Sequence, residues 1–487
     1  MQKQFFLILT LLSLSFGVGK AQFQDLFDLS NTTGYYPFMN SLTTSPSGDT
    51  LYGMSYLGGV NNEGCLFRMN ADGTGYLNLL NFDTLKSGAY PTGSLILSGK
   101  VLYGMTSENG LSFDSSNFSK NRYGTIFSIN TNGTGFKVMH HFNGKDGALP
   151  LGSLTLSASD TVLYGMTSQG GQGYPPLHTG YGTLFSINTD STGYQVLFRF
   201  TGISGAYPEG SLTLSADDSI LYGMTESGGA DNLGCIFSIH TDGTTYTDLH
   251  DFHDSTGSNP FGSLTLSGNV LYGTTNDIGV LGNGHIFSLH EDGSGYKTLF
   301  GFNGLNGDSP WGSLILSGNI LFGMTELGGA NTVGNIFAFD TADSSITDLF
   351  DFNVDNGSSP SGSLTLSGNT LYGMTELGGA NNVGDVFSFT PPGTLSVKQF
   401  RQVSNSTLIY PDPASNFIQY SISCSETNLA KVIVSDMLGK IISTENIQLS
   451  QGENYFIRDV SCLRSGIYFF QLVPSYGNAM QQKFVIR

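Results

Sequence analysis

Between Gln22 and Thr390 the chain alternates short apolar runs with polar, glycine-rich turns, and the alternation itself repeats. "SLTLS", as at Ser363–Ser367, puts Leu on one face and Ser or Thr on the other with period 2, the pattern of a half-buried strand. "LYGMT" (Leu371–Thr375) and "IFSI" (Ile236–Ile239) are short, apolar and bounded by turn residues, and also predict strands. A fourth segment, an aromatic or Ile followed by "xxLxxF", begins at Tyr76, Phe136, Tyr194, Tyr246, Tyr296 and Ile346. "SGN" or "SADDS" separates the first two segments. "NADGTG", "NTNGTG" or "HEDGSG" separates the last two, with Asx chemistry and Gly for positive φ. Each unit therefore predicts a four-stranded antiparallel meander of about fifty residues, the size of a propeller blade. Its strands are labelled A to D in chain order.

The unit recurs at regular spacing. Leu-[Tyr/Phe]-Gly occurs at Tyr52, Tyr103, Tyr164, Tyr222, Tyr272, Phe322 and Tyr372, with the last three steps fifty residues each. Pro-x-Gly-Ser-Leu precedes it at Pro91, Pro150, Pro208, Pro260, Pro310 and Pro360, with a degenerate first copy at Pro37. Gly-x-[Ile/Leu/Val]-Phe follows at Gly64, Gly124, Gly182, Gly234, Gly284, Gly334 and Gly384. The seventh unit stops at "FSFTPPGT" with no strand D, and its counterpart lies at the other end: "FQDLFDL" (Phe23–Leu29) matches "ITDLFDF" (Ile346–Phe352). An open stack has no reason to begin with an orphan strand and end without one. A ring does, because the N-terminal strand then completes the last sheet and removes two raw edges. The reading is all-β: a seven-bladed propeller over residues 22–392 with a composite seventh blade. The Gly of every "YGMT" is expected where neighbouring backbones approach closely.

The units "GSLTLSGNTLYGMTELGGANNVGDVFSF" and "DGSGYKTLFGFNG" resemble the GloVer tandem repeats of bacterial surface and secreted proteins. The resemblance covers all seven units and implies a propeller and an extracellular setting. It brings no catalytic residues.

After "TPPGTLSVKQFRQVSNST" the composition changes. A Lys/Asn/Ser-rich linker (393–408) leads to alternating strands and tight turns over 409–487, which predict a small β-sandwich. An adhesion-type sandwich would satisfy that pattern. The residues Tyr410, Pro411, Pro413 and Ala414, then Asp436, Gly439 and Lys440, then Leu463, Gly466 and Tyr468, and Lys483 to Val485, resemble the type A sorting domain of the type IX secretion system of Bacteroidetes. Asp412 stands where that family usually has Asn, and Arg487 where it usually ends in Lys. The resemblance implies the type IX machinery as a partner and export across the outer membrane. Removal of the domain then precedes release or attachment to surface lipopolysaccharide.

The other end fits that route. Residues 1–21 carry Lys3, an apolar run from Phe5 to Leu14 and small residues up to Ala21, the pattern of a secretory signal cleaved after Ala21. That run is shorter than the roughly 20 residues that span a bilayer, and no other stretch reads as transmembrane. Lys+Arg total 19 against 38 Asp+Glu, a formal charge of -19 with no basic stripe, so nucleic acid is excluded as a partner. Cys65 and Cys235 hold the same place in two repeats, cannot meet in a ring, and read as small buried hydrophobes. Cys424 and Cys462 share the C-terminal domain and could pair.

Candidate chemistry is sparse. There is no GxSxG, HExxH or P-loop. "HDFH" (His250–His253) hints at metal but stands where other units have "FDF" or "FGF". His240 and His290 hold a turn-opening position. The Asp-Gly turns at Asp72, Asp242 and Asp292 echo calcium loops but lack the closing bidentate acid. No cofactor is expected, with calcium the one alternative. Loop length is the better pointer. From the Tyr/Phe to the third-signature Gly, five units use twelve residues, while the second uses 21 and the third 18. These insertions lie in adjacent blades on the B–C/D–A face and carry Phe113, Phe118, Tyr123, Tyr174, His178 and Tyr181, aromatics suited to stacking on sugars or gripping peptide. Two function classes follow: a secreted binding or scaffold module for polysaccharide or protein, or an extracellular polysaccharide hydrolase or lyase on a propeller. Strand A reads "GSLTL" or "GSLIL" in unit after unit with no odd acid, which favours binding.

Overall fold

Period-2 strands of five or six residues cannot stand alone, because each sheet has two apolar faces to cover. The structure, a computed structural model, describes residues 21–108, 123–171, 180–276, 282–392, 409–410, 417–424, 428–436, 441–450, 452–461, 463–474 and 480–486. The leader expected over 1–21 lies, but for Ala21, outside them, as does the linker 393–408. The chain divides into two units, Met1–Ser396 and Val397–Arg487.

Among the described residues, unit one holds seven four-stranded antiparallel meanders. Blade 1 runs Thr43–Thr44, Thr50–Ser55, Cys65–Asn70 and Leu77–Asn81. Blade 7 takes strands A to C from Thr365–Ser367, Thr370–Met374 and Asp385–Thr390, and strand D from the N-terminal segment Gln22–Asp28. Gln22 pairs with Thr390 and Asp28 with Asp385. The register slips between Asp25 and Phe27, where blade 4 slips between Ile236 and Phe237. The borrowed strand thus carries the bulge of an authentic strand D.

Apolar faces meet between blades. Tyr52, Met54, Leu66 and Phe82 of blade 1 pack with Leu95, Leu102, Phe127 and Ile129 of blade 2, and the same grouping recurs around the ring. Across the seam, Leu29, Tyr372, Met374 and Val386 meet Leu42, Leu51, Phe67 and Met69. An outer series of ring stacks ties strand D of one blade to the next: Phe27 on Tyr76 at 4.2 Å, His140 on Tyr194 at 3.6 Å, Phe198 on Tyr246 at 4.3 Å, His250 on Tyr296 at 3.9 Å and Phe350 on Phe23 at 4.1 Å.

At the inner radius the contacts are backbone. The N–H of Ser153 donates to Ser211 Oγ, Ser211 to Ser263, Ser263 to Ser313 and Ser313 to Ser363, each at 2.8 Å, and Ser363 donates to Ser41 at 2.7 Å across the seam. Thr155, Thr213, Thr265 and Thr365 donate their hydroxyls to the carbonyls of Leu212, Leu264, Leu314 and Leu42 at 2.5–2.6 Å. The glycine before each Ser makes this approach feasible. A Cβ on Gly210 would be driven into the Gly262 carbonyl, and one on Gly312 into that of Gly362. The degenerate first copy puts Asn40 there, whose amide donates to Pro91 O at 3.2 Å.

The glycine of "YGMT" has a different cause from the one the sequence suggested. A Cβ on Gly53, Gly104 or Gly165 would meet the ring of Phe67, Phe127 or Phe185 on strand C of the same blade. The glycine makes room for a buried phenylalanine, not for a neighbouring backbone.

Asp385 occupies the first position of strand C, where the other blades have Cys65, Thr125, Thr183, Cys235, His285 and Asn335. It is 0% exposed; Oδ1 accepts from the Thr375 hydroxyl at 2.5 Å and Oδ2 is a buried oxygen without a hydrogen-bond partner. Burial pushes its pKa up to about 8, the Thr375 hydroxyl lowers it, and the charges of Asp25 and Asp28 on the borrowed strand raise it. Cys65 and Cys235 are free and fully buried at this same position. Since Thr, Asn, Asp and His alternate with them, the site is polar, and Cys65 Sγ donates to Thr33 O at 3.0 Å.

In unit two, Ile409–Tyr410, Phe417–Cys424 and Gly452–Asp459 form one sheet, and Ile441–Leu449, Asn428–Asp436, Gly466–Pro474 and Met480–Ile486 form another. Ile418, Val432, Val434, Leu449, Phe470, Leu472 and Phe484 fill the core of this β-sandwich. Tyr468 is buried with its hydroxyl donating to Arg464 O at 2.9 Å, and Gly466 opens the strand that carries it. Pro411, Pro413, Gly439, Lys440 and Cys462 lie outside the described residues, so the Cys424–Cys462 pairing does too.

Two predictions follow from these contacts. Gly210→Ala should lower stability by about 3 kcal/mol or more, whereas Gly268→Ala, at φ +61 with nothing within 4 Å of its Cβ, should lose about 1 kcal/mol. Equal denaturant midpoints for the two variants would refute the close approach. For Asp385 the unfolded carboxyl ionises above its ordinary value of 3.8 while burial raises the folded one to about 8, so stability falls as pH rises between those values. Asp385→Asn, the residue blade 6 uses at Asn335, should leave the melting temperature at pH 4 nearly unchanged. At pH 8 it should add on the order of 2 kcal/mol.

Candidate functional site

Strand A of every blade faces the axis, and together they enclose a channel of about 980 Å³. Strand A runs from the Pro-x-Gly-Ser signature to the A–B turn, so the variable x residues collect at the mouth on the B–C/D–A face. They are Leu151, Glu209, Phe261, Trp311 and Ser361; Thr92 of blade 2 is instead buried with its hydroxyl donating to Pro150 O at 3.0 Å, and the degenerate copy, one residue longer, places Met39 on the channel with Phe38 beside it in sequence. Leu151, Glu209, Phe261, Trp311 and Ser361 line the channel.

The residue before each proline is left-handed: Tyr36, Tyr90, Leu149, Tyr207, Asn259, Ser309 and Ser359 have φ between 52° and 58°. This conformation is uncommon for residues with a Cβ. It persists because each N–H donates to a carbonyl of the preceding blade's B–C loop, from Tyr90 to Glu63 at 2.9 Å round to Tyr36 to Val383 at 3.1 Å. The strained residue and its proline turn the x side chain onto the axis.

The mouth is asymmetric. Phe261 stacks on Trp311 with centroids 4.2 Å apart and planes 6° apart. Trp311 meets Phe38 edge-on at 6.1 Å, across the small Ser361, and Phe38 continues to Tyr36 at 5.9 Å and Tyr56 at 5.9 Å. An aromatic arc thus spans blades 5, 6, 7 and 1. Behind it and opposite it stand carboxyls. The residue after strand B's Thr supplies Glu226, Glu326 and Glu376, and the x position supplies Glu209.

Glu376 is 5% exposed; the Ser361 hydroxyl donates to its Oε1. Burial pushes it up to about 7, Ser361 and Tyr36 hydrogen bonds pull it down, and the Glu326 charge raises it. Tyr36 is itself raised to about 12 by burial and by Glu376. Glu209 is pushed up to about 8 by burial and then by Glu226. Burial raises Glu226, opposed by the Asn259 amide. Burial and Asp308 raise Glu326, opposed by the Trp311 indole. No Lys, Arg or His is among the described channel-lining residues. Flat apolar faces beside carboxyls that hold protons near neutral pH can stack on a sugar ring and both donate to and accept from its hydroxyls.

The residues singled out in the two insertions are placed differently. Tyr123 is 5% exposed and packs with Ile126, Phe142 and Ala148 in the blade 2–3 core, out of a ligand's reach. Tyr181 is 38% exposed, 6.3 Å from Tyr207. Phe113, Phe118, Tyr174 and His178 lie outside the described residues. The repeated strand-A string begins at Gly and carries no acid; Glu209 is the odd acid, immediately before that Gly, and the chain's one Trp occupies the same slot.

Elsewhere, His250 stacks on Tyr296 in the slot that holds Phe198 or Phe350 in other blades, and burial lowers its pKa to about 4. His253 shares a hydrogen bond with Ser255 at 3.0 Å. Asp72, Asp242 and Asp292 each accept from an N–H and a hydroxyl two residues on, at 2.6–3.0 Å, as turn anchors. Cys235, Asp248 and Asp251 bring three ligand atoms within 4.8 Å of one another in blade 4.

Among known proteins, the Gloeobacter/Verrucomicrobia repeat model matches residues 14–175, 115–304 and 269–412, and the secretion system C-terminal sorting domain matches 408–487. No curated protein matches the chain. An oligogalacturonate lyase solved with manganese is 12% identical, with a TM-score of 0.49 over 77% of this chain and 99% of its own. TolB from Acinetobacter baumannii is 12% identical, with a TM-score of 0.35 over 73% of this chain and 80% of its own. Among the described residues no helix is long and apolar enough to cross a membrane. The sorting domain marks export by the type IX system to the cell surface or beyond. The chain belongs to the Gloeobacter/Verrucomicrobia repeat family and is a type IX-secreted β-propeller protein.

Proposed function

We propose that the propeller is a non-catalytic saccharide-binding module that works outside the cell through its channel mouth on the long-loop face. The observation that carries this reading is the arc Phe261–Trp311–Phe38–Tyr36, half-buried around an open channel and backed by Glu326 and Glu376. Half-buried flat rings with hydrogen-bonding groups at their edges suit a sugar's apolar face and equatorial hydroxyls. A glycan array on the mature propeller identifies the ligand. Trp311→Ala should then weaken it about tenfold, the scale of one lost stacking contact. Its far-UV circular dichroism should stay that of the parent. Unchanged affinity in a folded Trp311→Ala variant would remove the mouth as the site.

A second reading, a polysaccharide hydrolase or lyase, draws on Glu209, whose carboxyl is pushed up to about 8 and opens onto the channel. A carboxyl protonated at neutral pH is what a general acid needs. New reducing ends or unsaturated products from array-positive glycans, lost in Glu209→Gln, would establish it. Binding without turnover would leave the module non-catalytic.

A further inference from the structure

The mouth's charge is as one-sided as its shape. Glu209 lines the channel, while Glu226, Glu326 and Glu376 stand behind Glu209, Trp311 and Ser361, and no Lys, Arg or His is among the described residues of the channel wall. Their partners are neutral or acidic. Ser361 and Tyr36 meet Glu376, and Trp311 and Asp308 meet Glu326. Asn259 meets Glu226, which in turn faces Glu209. Buried carboxyls are normally paired with a cation or left protonated. The aromatic arc faces the same space, and the face of an indole or phenol attracts a cation placed over it. Carboxylates and aromatic faces around one opening form the recognition chemistry of an organic ammonium group. They repel a polyanion.

We propose that the ligand of the mouth is an amino-sugar chain, whose ammonium groups are held between the Phe261–Trp311 stack and the carboxylate of Glu209, with Glu376 adding negative charge from behind Ser361, and that uronate or sulfated chains are rejected. The inference rests on the saccharide reading above and specifies its charge. An oligopeptide cation would meet the same carboxylates, but it offers no flat ring face to Phe261 and Trp311.

Burial raises the proton affinity of all four carboxyls, so a bound cation competes with protons. Glu209, at about 8, and Glu376, at about 7, ionise as pH rises through that window. Glu226 and Glu326, also raised, add negative charge, while Tyr36, at about 12, stays neutral. Affinity for a permanently charged ligand should therefore rise with pH, and affinity for a neutral one should not.

The test uses the mature chain and three soluble tetramers: N,N,N-trimethylglucosamine, N-acetylglucosamine and galacturonate, titrated calorimetrically at pH 6.0 and 8.5. The trimethylated chain should bind about tenfold tighter at pH 8.5 than at pH 6.0, and tighter than the acetylated chain at pH 8.5, with no galacturonate binding. Glu209→Gln should flatten that pH dependence for the trimethylated chain, while binding of the acetylated chain should vary little with pH in parent and variant alike. Equal binding of the charged and neutral chains, or binding of galacturonate, overturns the charge inference and leaves saccharide recognition standing. Tetralysine binding tighter than the trimethylated chain overturns the saccharide assignment. No binding of any sugar overturns both readings.

Discussion

The inner ring of backbone contacts fixes everything else. A serine N–H in one blade reaches the serine hydroxyl of the next at 2.8 Å. That distance requires the preceding residue to lack a Cβ, because the next blade's carbonyl occupies the space. Each such bond contributes only about 1 kcal/mol, but its geometry recurs from blade 2 round to the seam, and at the joint from blade 1 to blade 2 the Asn40 amide bonds Pro91 O instead. It sets the radius of the channel, so that side chains from blades 5, 6 and 1 meet around one opening.

A ring of this kind is only as sound as its join. Here the join repeats the ordinary joint almost without change: Ser363 donates to Ser41, Thr365 to Leu42, and Phe23 stacks on Phe350. One substitution marks it. Asp385 replaces a neutral residue and faces two acids on the borrowed strand. At the seam burial thus opposes the ionisation of a carboxyl, and its partner Thr375 is the chain neighbour of Glu376 at the mouth. Acid strengthens closure while it empties the mouth of charge.

The meander, its count and the composite blade were legible because they rest on periodicity and on an orphan strand, both visible in one dimension. The sorting domain was legible from Tyr468, Gly466 and their neighbours for the same reason. The mouth was not. Phe38, Phe261 and Trp311 are about fifty or more residues apart and become neighbours only through the closed ring. Insertion length points to the same face as the mouth; of the aromatics it singled out, Tyr123 looks like a loop residue, yet the strand that follows draws it into the core, while Tyr181 stays partly exposed. The "YGMT" glycine misled similarly, since close packing by a phenylalanine ring and by a backbone leave the same mark in sequence.

What separates frame from site is which positions vary. Pro, Gly and Ser of the first signature are constrained by φ, by close approach and by a hydrogen bond. The residue between Pro and Gly meets no requirement common to all blades, and it changes from Thr to Leu, Glu, Phe, Trp and Ser around the ring. The left-handed residue before each proline is strained by about 1–3 kcal/mol. It also varies freely, as Tyr, Leu, Asn and Ser, so its side chain is not what holds the turn. The interblade N–H to carbonyl bond holds it, in all seven blades. Strain borne by backbone contacts alone leaves the adjoining side chains unconstrained by folding. Rim positions of this kind, filled here with Phe261, Trp311 and Glu209, are where a repeat protein can acquire a specificity without disturbing its fold.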